Sequence, residues 1–455
     1  MKKLLSIMCA MVILFTACKE NDPPLADNVV VFQADKQGFT SDQTSADVKL
    51  TLSRNVSAAT DVTVSLVATG VTYGTDFTTV PAASNGKITV SVPAGSNTAT
   101  IKVNKAANLF LNGTESIAFK IETATQSVLA GSVAQLQLSF SSIVSTGTQL
   151  TLEGGDGGTA AVNSVYVDLS ANKQTSVLRN DWDLGFYSGT DFRVILNNTI
   201  GASAVVVNKT DINSVTAADV NTASLVIGLG QGTLAAIDDP QGDLTKTVIG
   251  AVSATDADNK VYVINRAGGS GIILPVADLI KVRVLRNATG GYTLQYAKLG
   301  ETTFQTLSIA KNSAYNFRYI SFAKGAVEVE PAKANWDFVW GYSIYYTATF
   351  PYGFSDLVFT NYLGGTQTAE VLTSTVSYDA YAEANIANTT FSSGRNTISS
   401  NWRVTSGGTV GVRTDRFYVI KDSAGNVYKL KFISFGPDGG TRGKPVLTYA
   451  LVKKA

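Results

Sequence analysis

From Val29 onward, short runs of alternating hydrophobic and polar residues dominate the chain. Val48-Lys49-Leu50-Thr51-Leu52, Val62-Thr63-Val64-Ser65-Leu66, Ile88-Thr89-Val90-Ser91-Val92, Ala99-Thr100-Ile101-Lys102-Val103 and Leu136-Gln137-Leu138 all follow this pattern. Successive strand side chains point to opposite faces, so a period of two predicts half-buried strands. Many such runs separated by turn residues predict a β-sandwich over residues 28–142.

Beyond Ser142 the pattern becomes an internal repeat. Asn180-Asp181-Trp182-Asp183-Leu184 returns as Ala334-Asn335-Trp336-Asp337-Phe338, with the tryptophans 154 positions apart. Lys260-Val261-Tyr262-Val263-Ile264 returns as Arg416-Phe417-Tyr418-Val419-Ile420, and Leu294-Gln295-Tyr296-Ala297 as Leu447-Thr448-Tyr449-Ala450. Landmarks that keep nearly one offset indicate a tandem duplication. Two copies are predicted, 148–305 and 306–455. Each has an opening strand (Val165–Leu169; Phe317–Ser321), a turn, the Trp-Asp strand, a variable middle and a closing meander. The hairpin from Phe417 to Phe432 around Asp422-Ser423-Ala424-Gly425-Asn426 is the clearest element. The fold class expected is all-β: an N-terminal sandwich followed by two antiparallel modules.

Composition agrees and narrows the chemistry. Forty Gly, 18 Tyr, 20 Phe and only 16% charged residues suit an extracellular β-protein. There is no His; every Met (Met1, Met8, Met11) and both Cys (Cys9, Cys18) fall in the first eighteen positions. Those positions begin with Lys2 and Lys3, continue in an apolar run from Leu4 to Phe15 too short to span a bilayer, and end in small residues. Residues 1–17 are therefore expected to be a signal peptide. Leu14-Phe15-Thr16-Ala17-Cys18 resembles a bacterial lipobox, which implies lipidation of Cys18. Residues 18–27 would be the tether, stiffened by Pro23-Pro24. At about 0.8 kcal/mol per buried methylene, two or three acyl chains anchor a protein stably. Outer-membrane lipid is thus an expected partner, and the outer membrane, facing the exterior, the expected location. Without Lys2 and Lys3 the 36 basic residues become 34 against 35 acidic ones, which offers nucleic acid no basic surface.

An enzyme is not expected. Lack of His removes Ser-His-Asp machinery and most zinc sites, and lack of a free thiol removes cysteine nucleophiles. Asp238-Asp239-Pro240-Gln241-Gly242-Asp243 and Asp256-Ala257-Asp258-Asn259 do not keep the spacing of a calcium loop, and turns favour these residues in any case.

Two stretches of the chain carry family resemblances. Tyr73-Gly74-Thr75-Asp76-Phe77, Val92-Pro93-Ala94-Gly95-Ser96 and Asn112-Gly113-Thr114-Glu115-Ser116 make residues 28–142 resemble a Calx-β domain. Some members of that family bind calcium, but Asp76 and Glu115 are isolated and a hard cation takes six to eight oxygens, so calcium is not expected here. Further on, Asn180–Phe186, Arg193–Asn198, Asn335–Phe338, Phe417–Ile420 and Asn426–Phe432 resemble the HmuY family of surface haem-binding lipoproteins. This resemblance implies non-enzymatic capture of haem for an outer-membrane uptake receptor.

The family's known ligands to haem iron are His or Met, supplied from loops. The corresponding stretches here, 403–414 and 248–259, contain neither. Of the usual iron ligands only Tyr remains, since Cys18 would be acylated. Burial of roughly 500 Å2 of porphyrin at about 25 cal/mol per Å2 gives on the order of 12 kcal/mol, most of it offset by association costs of about 4–15 kcal/mol. The residues expected to contact a flat ligand are Tyr345, Tyr342 and Tyr352, in the aromatic-rich run 342–354, together with Trp336 and Trp182. Each also has a simple packing explanation: Tyr342, Ile344, Tyr346, Ala348 and Phe350 alternate onto one strand face with Tyr345 opposite, and an indole at a strand head fills a core. Any metal is left unassigned. The competing expectation is an adhesion, scaffold or glycan-contacting lipoprotein that kept the fold and lost haem binding.

Overall fold

The computed structural model describes residues 26–455 apart from 42, 108, 267–270, 346, 348 and 438. The chain is nearly all β, and every helix among the described residues is a short 3-10 turn. It divides into two compact units, Met1–Ile143 and Val144–Ala455. Cys18 and most of the tether lie outside the described residues.

The first unit is a sandwich of two five-stranded sheets. Its strands are β1 (Val29–Phe32), β2 (Lys36–Phe39), β3 (Ser45–Leu52), β4 (Thr60–Thr69), β5 (Phe77–Val80), β6 (Lys87–Val92), β7 (Thr98–Lys105), β8 (Ser116–Ala124), β9 (Leu129–Ala130) and β10 (Gln135–Phe140). One sheet has the order β5-β7-β3-β1-β9 and the other β2-β10-β8-β4-β6. The alternating runs bury one face each: Val48, Leu50 and Leu52 of β3 and Ile88, Val90 and Val92 of β6 enter a single core. The Asp76 carboxylate accepts from Thr72 N at 2.8 Å, and Glu115 accepts from Asn112 N and Gly113 N at 3.2 and 2.9 Å, so both serve their own turns.

The second unit begins with β11 (Gly147–Thr151), β12 (Asn163–Asp168), β13 (Lys173–Leu178), β14 (Leu184–Tyr187), β15 (Val194–Leu196) and β16 (Ser203–Val207). The first closing meander is β17 (Val261–Asn265), β18 (Ile280–Arg286) and β19 (Tyr292–Lys298), followed by β20 (Gln305–Ile309), β21 (Phe317–Ser321) and β22 (Gly325–Val327). Then come β23 (Phe338–Tyr345), β24 (Tyr352–Thr360), β25 (Gln367–Leu372), β26 (Arg403–Val404) and β27 (Gly411–Val412). The second meander closes the chain with β28 (Arg416–Lys421), β29 (Val427–Ser434) and β30 (Val446–Lys453).

Pairing crosses between the repeats. The opening strand of the first copy, β12, pairs with the Trp-Asp strand of the second, β23, with Val165 opposite Trp340. Reciprocally, β21 pairs with β14, with Ile320 opposite Leu184. The exchange extends to the meanders, since β11 completes the sheet β25-β28-β29-β30 and β20 completes β16-β17-β18-β19. A sheet boundary therefore does not coincide with the repeat boundary at 305/306. Strands 184–327 lie in one set of sheets, and the strands on either side of them in sequence assemble another. The two largest cores of this unit follow the division, while a smaller one joins Tyr166 and Trp336 to Phe317 and Tyr319 across it. Of the two largest, one joins Leu184, Phe186, Val282 and Ile320, and the other Val165, Trp340, Trp402 and Tyr428.

Candidate functional site

The repeated Trp-Asp turns sit where the exchanged strands meet. Asp183 Oδ2 accepts from Phe322 N at 2.7 Å, just past β21, and Asp337 Oδ2 accepts from Leu169 N at 2.8 Å, just past β12. Each aspartate thus caps the opening strand of the other copy. Behind each turn stands a buried asparagine. Asn197 Nδ2 donates to Arg179 O and Trp182 O, and Asn361 Nδ2 donates to Lys333 O and Trp336 O, all at 2.7–2.8 Å. Trp182 packs edge-on against Tyr319 and Trp336 against Tyr166, with centroids 4.9 and 5.0 Å apart. These ring pairs, one from each copy, are two walls of a chamber of about 120 Å3.

Tyr342 lines the same chamber, with the Arg179 guanidinium 4.7 Å from its ring centroid. Other walls come from Asp238, Glu330, Phe359, Tyr362 and Arg395. Burial pushes the Glu330 carboxyl up to about 8, although Phe317 N donates to it at 2.7 Å. Burial likewise raises Asp238 to about 6, against the backbone N–H groups of Leu196 and Val248. Burial also raises Tyr362 to about 12 and takes the Tyr166 and Tyr319 phenols still higher. Burial pulls the Arg395 guanidinium down, and it lies over the Phe359 ring at 4.0 Å.

Tyr345 and Tyr352 are elsewhere. They face each other across the β23–β24 ladder at its open end, beyond the bulge at Gly341/Ser343, and both are half-buried. Phe354 packs 5.4 Å from Tyr352 and 6.3 Å from Tyr345. Arg403, the first residue of β26, places its guanidinium 4.9 Å from the Phe354 centroid. It donates to Ser355 O. Burial pulls Arg403 down to about 10, against the pull of Asp356. Asp356 holds a left-handed φ of 55° while buried, a conformation unusual for a side chain with a Cβ, and is clamped there by Arg442 Nε at 2.7 Å.

The structure therefore separates the five residues expected to contact a flat ligand. Trp182, Trp336 and Tyr342 share the chamber, while Tyr345 and Tyr352 form a half-buried aromatic edge. The expected single strand face from Tyr342 to Phe350 is cut short, because β23 ends at Tyr345 and Ile344 packs against Ile227, Ala236 and Ile237. Tyr346 and Ala348 lie outside the described residues. Among the described residues no group of three or more His, Cys, Asp or Glu is arranged to hold a metal ion, and no helix is long and apolar enough to cross a membrane. Arg395, Glu330 and Arg403 had no signal in the sequence, since an isolated charge reads as surface.

The family model described as HmuY protein matches residues 161–449, more than half the chain. The chain belongs to the HmuY family. The matched HmuY span contains both Trp-Asp turns, the chamber and the Tyr345 edge. No curated protein matches the chain. Among solved structures, the apo-form Calx CBD1 domain is 13% identical over 25% of this chain and 96% of its own, with a TM-score of 0.22. A putative carbohydrate binding protein from Bacteroides ovatus is 12% identical over 94% of this chain and 98% of its own, with a TM-score of 0.21.

Proposed function

We propose that this HmuY-family chain is a non-enzymatic surface lipoprotein that binds haem or a related porphyrin for uptake, with Tyr345 as the iron ligand and Tyr352 beside it. The observation that carries this reading is the half-buried phenol pair at the open end of a ladder, near a cation. Phenolate ligation requires a hydroxyl that iron can reach, and burial denies this to the core tyrosines Tyr166, Tyr319, Tyr418 and Tyr428, whose phenols it pushes far up. Tyr345 and Tyr352 sit at a sheet end next to the loop 403–414, where the family resemblance puts a ligand-bearing loop. Phe354 offers a ring to stack on, with the Arg403 and Arg442 guanidiniums 4.9 and 5.8 Å from its centroid. The chamber is not the porphyrin site, because pockets for ligands of that size span about 300–1,000 Å3.

In this reading Cys18 is acylated, the protein is held on the outer membrane facing outward, and an outer-membrane receptor takes the haem onward. The N-terminal unit is a Calx-β-type spacer without calcium, its Asp76 and Glu115 already engaged by turn N–H groups. The experiment is titration of residues 19–455 with haemin. A saturable Soret shift is expected, and no shift at tens of micromolar haemin contradicts the proposal. The second reading, an adhesion, scaffold or glycan-contacting lipoprotein, is favoured by one observation: the chain beyond Cys18 has no His or Met to ligate iron.

A further inference from the structure

We propose that the chamber between the two Trp-Asp turns is a binding site for a small carboxylate of two to four carbons, received by Arg395. The inference stands apart from haem binding, which uses a different edge of the fold.

Three observations carry it. First, the Arg395 guanidinium lines the chamber and makes a cation–π contact with Phe359, yet no carboxylate lies within ion-pair distance of it among the described residues. Its backbone carbonyl is fixed by Thr360 N at 3.0 Å and the neighbouring Asn396 is tied to Pro240 O at 3.1 Å, so the side chain leaves a well-anchored loop. Asp239 and Asp238 act on this guanidinium only from beyond ion-pair distance; a desolvated guanidinium without a direct partner is costly, and its planar fork matches a carboxylate with two parallel hydrogen bonds.

Second, the same wall contains two more donors without acceptors. Trp336 Nε1 and Ser343 Oγ are sealed from solvent and have no hydrogen-bond partner, on residues only 8% and 3% exposed. Buried donors are nearly always paired, and an unpaired one costs about 1–3 kcal/mol. Unpaired donors carried by two residues that line the chamber, beside a guanidinium with no ion pair, favour an occupant rich in acceptors.

Third, the acids of the chamber are occupied or neutral at pH 7. Glu330 is held protonated by burial. Both oxygens of Asp238 accept backbone N–H groups, and Asp243, at the rim, pairs with Lys246 at 2.9 Å. Asp239 accepts from Asp243 N at 3.0 Å. Size sets the rest of the specificity. A cavity of about 150 Å3 holds benzene, so 120 Å3 admits roughly four to six non-hydrogen atoms between the aromatic walls.

The test is isothermal titration of the full-length chain with acetate, propionate and butyrate, each set against its neutral amide. One saturable site is expected, with the best carboxylate bound at least tenfold more tightly than its amide, and Arg395→Gln is expected to abolish the difference. Equal affinity for acid and amide overturns the proposal, as does undiminished binding by Arg395→Gln, or a crystal structure grown at saturating carboxylate that shows only water in the chamber. Should Arg395→Gln fail to fold, the acid-against-amide comparison on the unaltered chain decides.

Discussion

Asp183 and Asp337 occupy the same place in the two copies and have diverged in their company. Asp183 lies 2.6 Å from the Arg266 guanidinium, whereas Asp337 faces Asp168 and Asp422 and, buried among like charges, is pushed well above the usual carboxylate range. The Trp-Asp turns were legible in the sequence because identical residues recurred at one offset. Asn197 and Asn361, which hold those turns, were not, since one buried amide in a loop has no periodicity to betray it. Asn361→Ala removes donors to Lys333 O and Trp336 O and leaves two buried carbonyls unpaired, so urea denaturation should show a loss of about 2–4 kcal/mol. Glu330 gives a prediction in pH. Its folded value of about 8 stands above an ordinary 4.5, so the folded state holds the proton over that window. Its contribution to stability is greatest below pH 4.5 and is lost as pH rises to 8, a change on the order of 5 kcal/mol at most. Glu330→Gln should flatten the melting temperature between pH 5 and 9 and melt above the parent at pH 9; a parallel decline in both proteins would contradict this.

At the level of strands, period-two alternation located the elements well because a sandwich strand buries one face. The hairpin of β28 and β29 closes with Asp422 Oδ1 accepting from Ala424 N and Asn426 N, the turn chemistry that Asp and Asn imply. Partnership was not legible, because a strand's alternation specifies which face is buried and leaves its neighbour open. The exchange of β12 and β21 between copies depends on reciprocal caps, Asp183 on Phe322 N and Asp337 on Leu169 N, which are long-range contacts with no local signature. It makes each copy incomplete alone. Residues 148–305 and 306–455 expressed separately should give poorly dispersed amide NMR spectra, and mixing them should recover the spectrum of 144–455. A folded, dispersed spectrum from either piece alone would refute reciprocal completion.

For the molecule as a whole, composition told more about what is excluded than about what is bound. Near-neutral charge and the absence of His made several classes of chemistry poor expectations, while the proposed ligand depends on which of 18 tyrosines keeps a reachable hydroxyl after folding. That is a property of burial, and at the β23–β24 edge two half-buried tyrosines, Tyr345 and Tyr352, meet across the ladder. The central claim is that Tyr345 ligates haem iron. The most direct test is resonance Raman spectroscopy of the haemin complex of residues 19–455, excited in the phenolate-to-iron charge-transfer band, for the parent and for Tyr345→Phe. The account predicts iron–phenolate modes in the parent that vanish in Tyr345→Phe with at least a tenfold loss of haemin affinity. A complex without phenolate modes, or modes that survive in Tyr345→Phe, would contradict it.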